Sequence, residues 1–171
     1  MFRALVGDSF EALPPAVRAI HDSSGERTFT GRCDVYRGAS LASRVIAAAL
    51  RLPRAGRDVP LRVTIRRHPP YETWTRDFAG RRLRSVLRAR RGLLEERMGA
   101  TTFTFALRVH DRGIRWELMG VRALGFSLPL AWFRGVRAGE GVEEGRYRFD
   151  VRAELPVAGL LVHYHGLLDT A

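Results

Sequence analysis

From residue 58 onward, apolar and polar side chains alternate at every second position over most of the chain. The stretch "VPLRVTIR" puts Val59, Leu61, Val63 and Ile65 on one side and Arg62, Thr64 and Arg66 on the other. "RLRSVLRAR" sets Leu83, Ser85, Leu87 and Ala89 against Arg82, Arg84, Arg88 and Arg90, and "TFTFALRV", "IRWEL" and "RYRFDVRAEL" repeat the pattern. Successive side chains of a strand point to opposite faces, so this period predicts antiparallel strands with one buried and one wetted face. Turn-forming segments at "AGRR", "HDRG" and "EEGR" punctuate the strands at hairpin distances. A sheet of about 8–10 such strands curls into a strongly curved antiparallel sheet or a barrel.

The first 55 residues follow a different period. In "SFEALPPAVRAIHD", Pro15 suits the first turn of a helix that runs through Ile20 or His21. "RTFTGRCDVYRG" alternates again and predicts a strand over 27–37. A second helix starts at the N-cap Ser40, with Leu41, Val45, Ala48, Ala49 and Leu52 as its apolar stripe, and stops at Pro53. The fold expected is therefore α+β and β-dominated, with two N-terminal helices covering one end or face of the sheet. Residues 1–171 form one domain, in which a helical part with one strand (1–55) precedes the antiparallel part (56–169).

Composition narrows the chemistry. The net charge of +11 would ordinarily suggest an acidic partner. Every basic residue is Arg, however, and the chain has no Lys, Asn or Gln. This usage reflects biased coding composition, and it argues against nucleic acid, since adenine is commonly read by Asn or Gln amides. Without Lys there is no Schiff-base amine and no phosphate-loop lysine. Cys33 is the single cysteine, so no intramolecular disulfide or Cys-rich zinc site forms. No G-x-S-x-G elbow and no G-x-G-x-x-G after a strand is present, and no cofactor or metal is called for. The N-terminus lacks a long apolar run, and "ALGFSLPLAWF" at 123–133 is too short for a transmembrane segment. The expectation is a soluble cytoplasmic protein.

Several side chains stand apart from the regular pattern. In "ETWTRDF", Trp74 and Phe78 share a face with Glu72 and Arg76. A charge on an apolar face is costly unless paired, so Arg76 calls for Glu72, Glu95 or Asp77, or for an anionic ligand. Glu95 and Glu96 point to opposite faces, with Glu95 beside Arg97. Glu140, Glu143 and Glu144 alternate with glycines and read as a solvent-exposed turn, and Arg82, Arg84, Arg88 and Arg90 read as a solvated face. In "GLLVHYHGLL", Val162 and Tyr164 belong to the apolar face, with Tyr164 reaching a buried partner. His163 and His165 fall on the wetter face, beside Arg148, Asp150 and Arg152 if that strand is the neighbour.

The segments "LPPAVRAIHD", "FTGRCDVYRG", "DVPLRVTI", "ETWTRDFAGRRLRS", "LLEERMGATTFTFAL", "LGFSLPL" and "YRFDVRAELPVAGLLVHYHGLL" occur in this order. Together, over roughly residues 5–168, they resemble an uncharacterised bacterial domain family of unknown function. The resemblance implies a domain found alone or at the C-terminus of NAD-dependent epimerase-like or saccharopine-dehydrogenase-like proteins. Positions matching His21, Trp74, Arg76, Phe78, Ser85, Glu95, Tyr164 and Gly166 stand out in that pattern, whereas histidine at 163 and 165 does not belong to it. It implies no assigned catalytic residue.

The function expected from these readings is a non-catalytic module that binds an apolar or amphipathic small molecule in a β-lined cavity. Trp74, Arg76, Phe78, Glu95, Trp116 and Tyr164 are the candidate ligand-binding residues. Two alternatives stand beside it. One is an interaction domain partnering an NAD-dependent oxidoreductase, which predicts an exposed apolar patch at "GFSLPLAWF". The other is a small hydrolase, cyclase or isomerase using His21, Glu95 or Arg76, an idea that ion-paired, occluded copies of all three would defeat.

Overall fold

The computed structural model describes residues 1–22, 24–110 and 112–170. Its strands are β1 (Glu26–Tyr36), β2 (Gly56–His68), β3 (Tyr71–Phe78), β4 (Arg81–Arg90), β5 (Leu93–Met98) and β6 (Thr101–His110). They continue as β7 (Gly113–Ala123), β8 (Phe126–Leu128), β9 (Arg137–Glu143), β10 (Arg146–Leu155) and β11 (Gly159–Asp169). The helices are α1 (Phe2–Val6), α2 (Pro15–Asp22) and α3 (Leu41–Ala49). Strands β1 to β7 pair in order, β7 pairs with β9, and β10 and β11 lead back to β1. All pairs are antiparallel, so ten strands close into a barrel, and β8 extends one end of β7 alone. Closure leaves almost no strand edge exposed, which is how such a sheet avoids edge-to-edge association.

The alternation seen in the sequence sets the inside of this barrel. Leu61, Val63 and Ile65 of β2 are buried, as are Trp74 and Phe78 of β3, Leu83, Ser85 and Leu87 of β4, and Tyr147 and Phe149 of β10. Hairpins turn through pairs such as Ala79–Gly80 (φ 51° and 94°) and Glu144–Gly145 (φ 51° and 76°). Two consecutive positive φ values make the turn whose twist matches the flanking strands, and glycine enters that region without steric penalty.

The antiparallel order divides the connections between two ends. α1, α2 and the β2–β3, β4–β5, β6–β7 and β9–β10 turns lie at one end. α3, the β3–β4, β5–β6, β7–β8 and β10–β11 turns, and a 3₁₀ turn at Leu130–Phe133 lie at the other. α2 plugs the first end with Val17, Ile20 and His21, joined by Phe2 of α1 and Phe10 of a 3₁₀ turn at Gly7–Phe10. The Phe2 ring stacks on His21 at 3.7 Å between centroids, and Arg67 of β2 donates to the Ile20 carbonyl at 2.5 Å.

Two expectations need correction. Within α3 the apolar stripe does not face the core: Leu41 is 76% exposed and Val45 61%, and only Leu52, just past the helix, is buried, while Ser43 and Ala47 are buried against the start of β11. Small side chains let the helix come close enough for the Ser43 and Ser40 hydroxyls to donate to the carbonyls of Leu160 and Ala158, the latter at 2.6 Å. The second correction concerns "RAGEGVE", taken as an exposed acidic turn. It is the strand β9, with Gly139 and Gly141 outside and Glu140 buried inside.

Candidate functional site

Two polar clusters lie inside the barrel. At the plugged end, Glu140 accepts from Trp116 Nε1 at 3.0 Å and from the Tyr147 hydroxyl, and lies 2.8 Å from His21 Nε2. Burial alone would raise the Glu140 carboxyl, but His21, Tyr147 and Trp116 outweigh it and hold it below the usual range. The same arrangement pushes the Tyr147 phenol well above its ordinary value, through burial first and the Glu140 carboxylate second. Beside this cluster Glu72 accepts from Trp74 Nε1 at 3.2 Å and pairs with Arg67 at 3.5 Å. Deeper in, Arg76 pairs with Glu96 at 3.2 Å and donates to Ser85 Oγ at 3.0 Å. Burial works to lower the Arg76 guanidinium, and Glu96 overcomes it, leaving the pKa raised.

The structure places five of the six candidate residues inside the barrel. Trp74 lies under the Arg76 guanidinium, 5.2 Å from its ring centre. Phe78 meets Tyr164 edge-on at 5.2 Å, and Phe149 approaches Tyr164 from another side at 6.1 Å. Burial pushes the Tyr164 phenol up to about 12, against the opposing pull of Arg76. Trp116 holds Glu140, as described. Glu95 is the exception. It faces the outer wall, where Arg88 contacts it at 2.5 Å, Arg90 at 3.6 Å and Arg122 at 3.8 Å. The strand register decides this: Glu96 lies opposite the inward Leu87, so Glu95 must point out. The acid that neutralises Arg76 is therefore Glu96.

A cleft of about 1160 Å³ runs along the outer wall over β9. Its floor is low because Gly139 and Gly141 occupy outward positions; a Cβ added at Gly139 would meet only the Ile114 carbonyl, at 3.8 Å. Leu118, Leu130, Phe133 and Val136 give the cleft an apolar side. Arg115, Arg134 and Arg137 line it without an ion pair among the described residues. Arg148 is matched by Glu143 at 3.1 Å and Asp150 at 3.6 Å, and Arg152 by Glu154 at 2.6 Å. His163 reaches Asp150 at 3.1 Å on the same wall, while His165 stacks with Tyr36 at 5.9 Å. Among the described residues no group of three or more His, Cys, Asp or Glu is arranged to hold a metal ion.

Sequence reasoning missed Glu140 and the cleft together, for one reason. The glycines of β9 made it look like a turn, yet Ala138, Glu140 and Val142 already alternate with Arg137, Gly139, Gly141 and Glu143. That alternation was the available signal.

Comparison with known proteins gives a family profile described as "Domain of unknown function (DUF4166)" that matches residues 13–168. The crystal structure of Rv2717c from M. tuberculosis is similar at 16% identity, with a TM-score of 0.45, over 91% of this chain and 97% of that one. No curated protein matches.

Proposed function

The chain belongs to this family, a domain of unknown function, and we propose that here the barrel serves as a non-catalytic module binding an amphipathic anion in the cleft over β9. The observation that carries the reading is the pairing of an apolar wall with three arginines that have no acidic partner among the described residues. A cleft that combines apolar area with a few placed charges suits a ligand having an apolar body and an anionic head. The barrel interior suits such a ligand less well, since Arg76 already has Glu96 and Ser85 as partners. Acid–base catalysis is disfavoured on similar grounds. His21, Glu95 and Arg76 are each paired, and His21 is fully occluded.

Isothermal titration with dodecyl phosphate and with dodecyl maltoside tests the reading, both below their critical micelle concentrations. Dodecyl phosphate is expected to bind, and Arg115→Glu or Gly139→Leu to weaken it by about tenfold or more, with the melting temperature retained. Equal binding of the neutral amphiphile, or indifference to both substitutions, would remove the support for the cleft.

A further inference from the structure

The two ends of the barrel differ in chemistry. Among the described residues, every exposed large apolar side chain except Tyr71 and Met119 lies in the segments at the end opposite the plug. Leu41 is 76% exposed, Leu124 78%, Phe126 75%, Trp132 54% and Val157 95%. On the 3₁₀ turn, Leu130 and Phe133 line the cleft and Trp132 does not, as expected where residues three apart share a side. Charge is equally lopsided. The segments 34–58, 77–82, 97–100, 120–139 and 154–159, which make up this end, contain eleven arginines against four acids, Asp34, Asp58, Asp77 and Glu154. The plugged end mixes signs, with Asp8, Glu11, Asp22, Glu26 and Glu144 among its arginines.

An apolar barrel end with a large excess of arginine is complementary to one kind of surface. A protein partner would have to bring a matching array of acids, whereas an anionic bilayer offers phosphates and an apolar layer together over a broad plane. An exposed Trp beside Leu, Phe and Val is the composition that settles at the headgroup level. We infer that this end docks on an anionic phospholipid surface, with Leu41, Val45, Leu124, Phe126, Trp132 and Val157 entering the interfacial layer and the arginines at the phosphates. The docking inferred is peripheral, with only these side chains entering the layer; no helix among the described residues is long and apolar enough to cross a membrane. It goes beyond the cleft reading and does not depend on it.

Vesicle binding by the full chain provides the test, using phosphatidylcholine vesicles with and without phosphatidylglycerol. Trp74 and Trp116 are buried, so Trp132 is the fluorescent reporter at the surface. Expected are co-sedimentation that requires phosphatidylglycerol, a blue shift of the emission, and quenching by brominated lipid. Affinity is expected to fall about tenfold or more in Phe126→Ser/Trp132→Ser and in Arg51→Glu/Arg81→Glu, and steeply with salt. Those pairs leave the cleft intact, so dodecyl phosphate titration stays unchanged in them, and Gly139→Leu leaves vesicle binding unchanged. Failure of one reading is thus separable from failure of the other. The inference is overturned by any of four results: no sedimentation, equal sedimentation with phosphatidylcholine alone, tighter binding to duplex DNA at the same salt, or a dimer in solution that Trp132→Ser dissociates.

Discussion

Glu140 enters the barrel from a strand flanked by glycines and becomes the acceptor for His21, Trp116 and Tyr147. Removing one member of a buried pair leaves the others unsatisfied, so Glu140→Ala is expected to lower unfolding free energy by about 3–5 kcal/mol in urea titration. Its carboxyl titrates below the ordinary value of 4.5, so its stabilisation is present above that pH and lost as pH falls through the lowered value. Stability measured across that acid window should therefore decline more steeply in the natural protein than in Glu140→Gln. Cys33 gives an independent check on the interior. Burial pushes its thiol up to about 12, and the sulfur lies 3.7 Å from the Val59 carbonyl. Alkylation at neutral pH should be negligible in the folded chain and complete once denaturant is added.

The N-terminal plug draws its stability from side chains placed across helices and strands. Phe2 lies on a helix of only five residues, too short to persist by its own hydrogen bonds. Its ring instead fills the space between His21, Trp116 at 5.8 Å and Trp74 at 6.2 Å. Phe2→Ala is expected to cost about 3–5 kcal/mol, and to shift Trp emission as water reaches the emptied end. α3 is governed by close approach. Gly38 and Ser43 sit against the Leu160 carbonyl, and a Cβ at Gly38 would overlap it. Small residues were visible at these positions, but an apolar stripe facing solvent reverses the usual rule for surface helices. No local pattern distinguishes that case from ordinary packing.

Closure ties the last strand to the first, through a register that pairs Cys33 with Gly166 and Val35 with Tyr164. A Cβ at Gly166 would overlap the Arg32 carbonyl, so this seam requires the glycine. Strands held on both sides open only with the whole barrel, whereas β8 has one neighbour and three residues. Amide hydrogen exchange should be fast in β8 and at Leu130–Phe133, and in β1 and β11 should track global unfolding. Equal protection in β8 and β11 would contradict this hierarchy. The fast segments are also those assigned to the bilayer, so lipid vesicles should slow them selectively.

The strand and helix types and most inward positions were legible in the chain because they depend on a local period. Pleating sends alternate side chains to opposite faces whatever the strand's neighbours are. This is why Trp74, Arg76, Phe78, Trp116 and Tyr164 could be placed inside together. Their partners could not be read the same way. Arg76 meets Glu96 through the β3–β4–β5 register, and His21 meets Glu140 across 119 residues of chain. Nor could the sequence order show that α3, the turn at Leu124 and the turn at Val157 share one end. Contacts between distant segments arise from how the ring closes, and closure satisfies all the strands at once rather than any one of them.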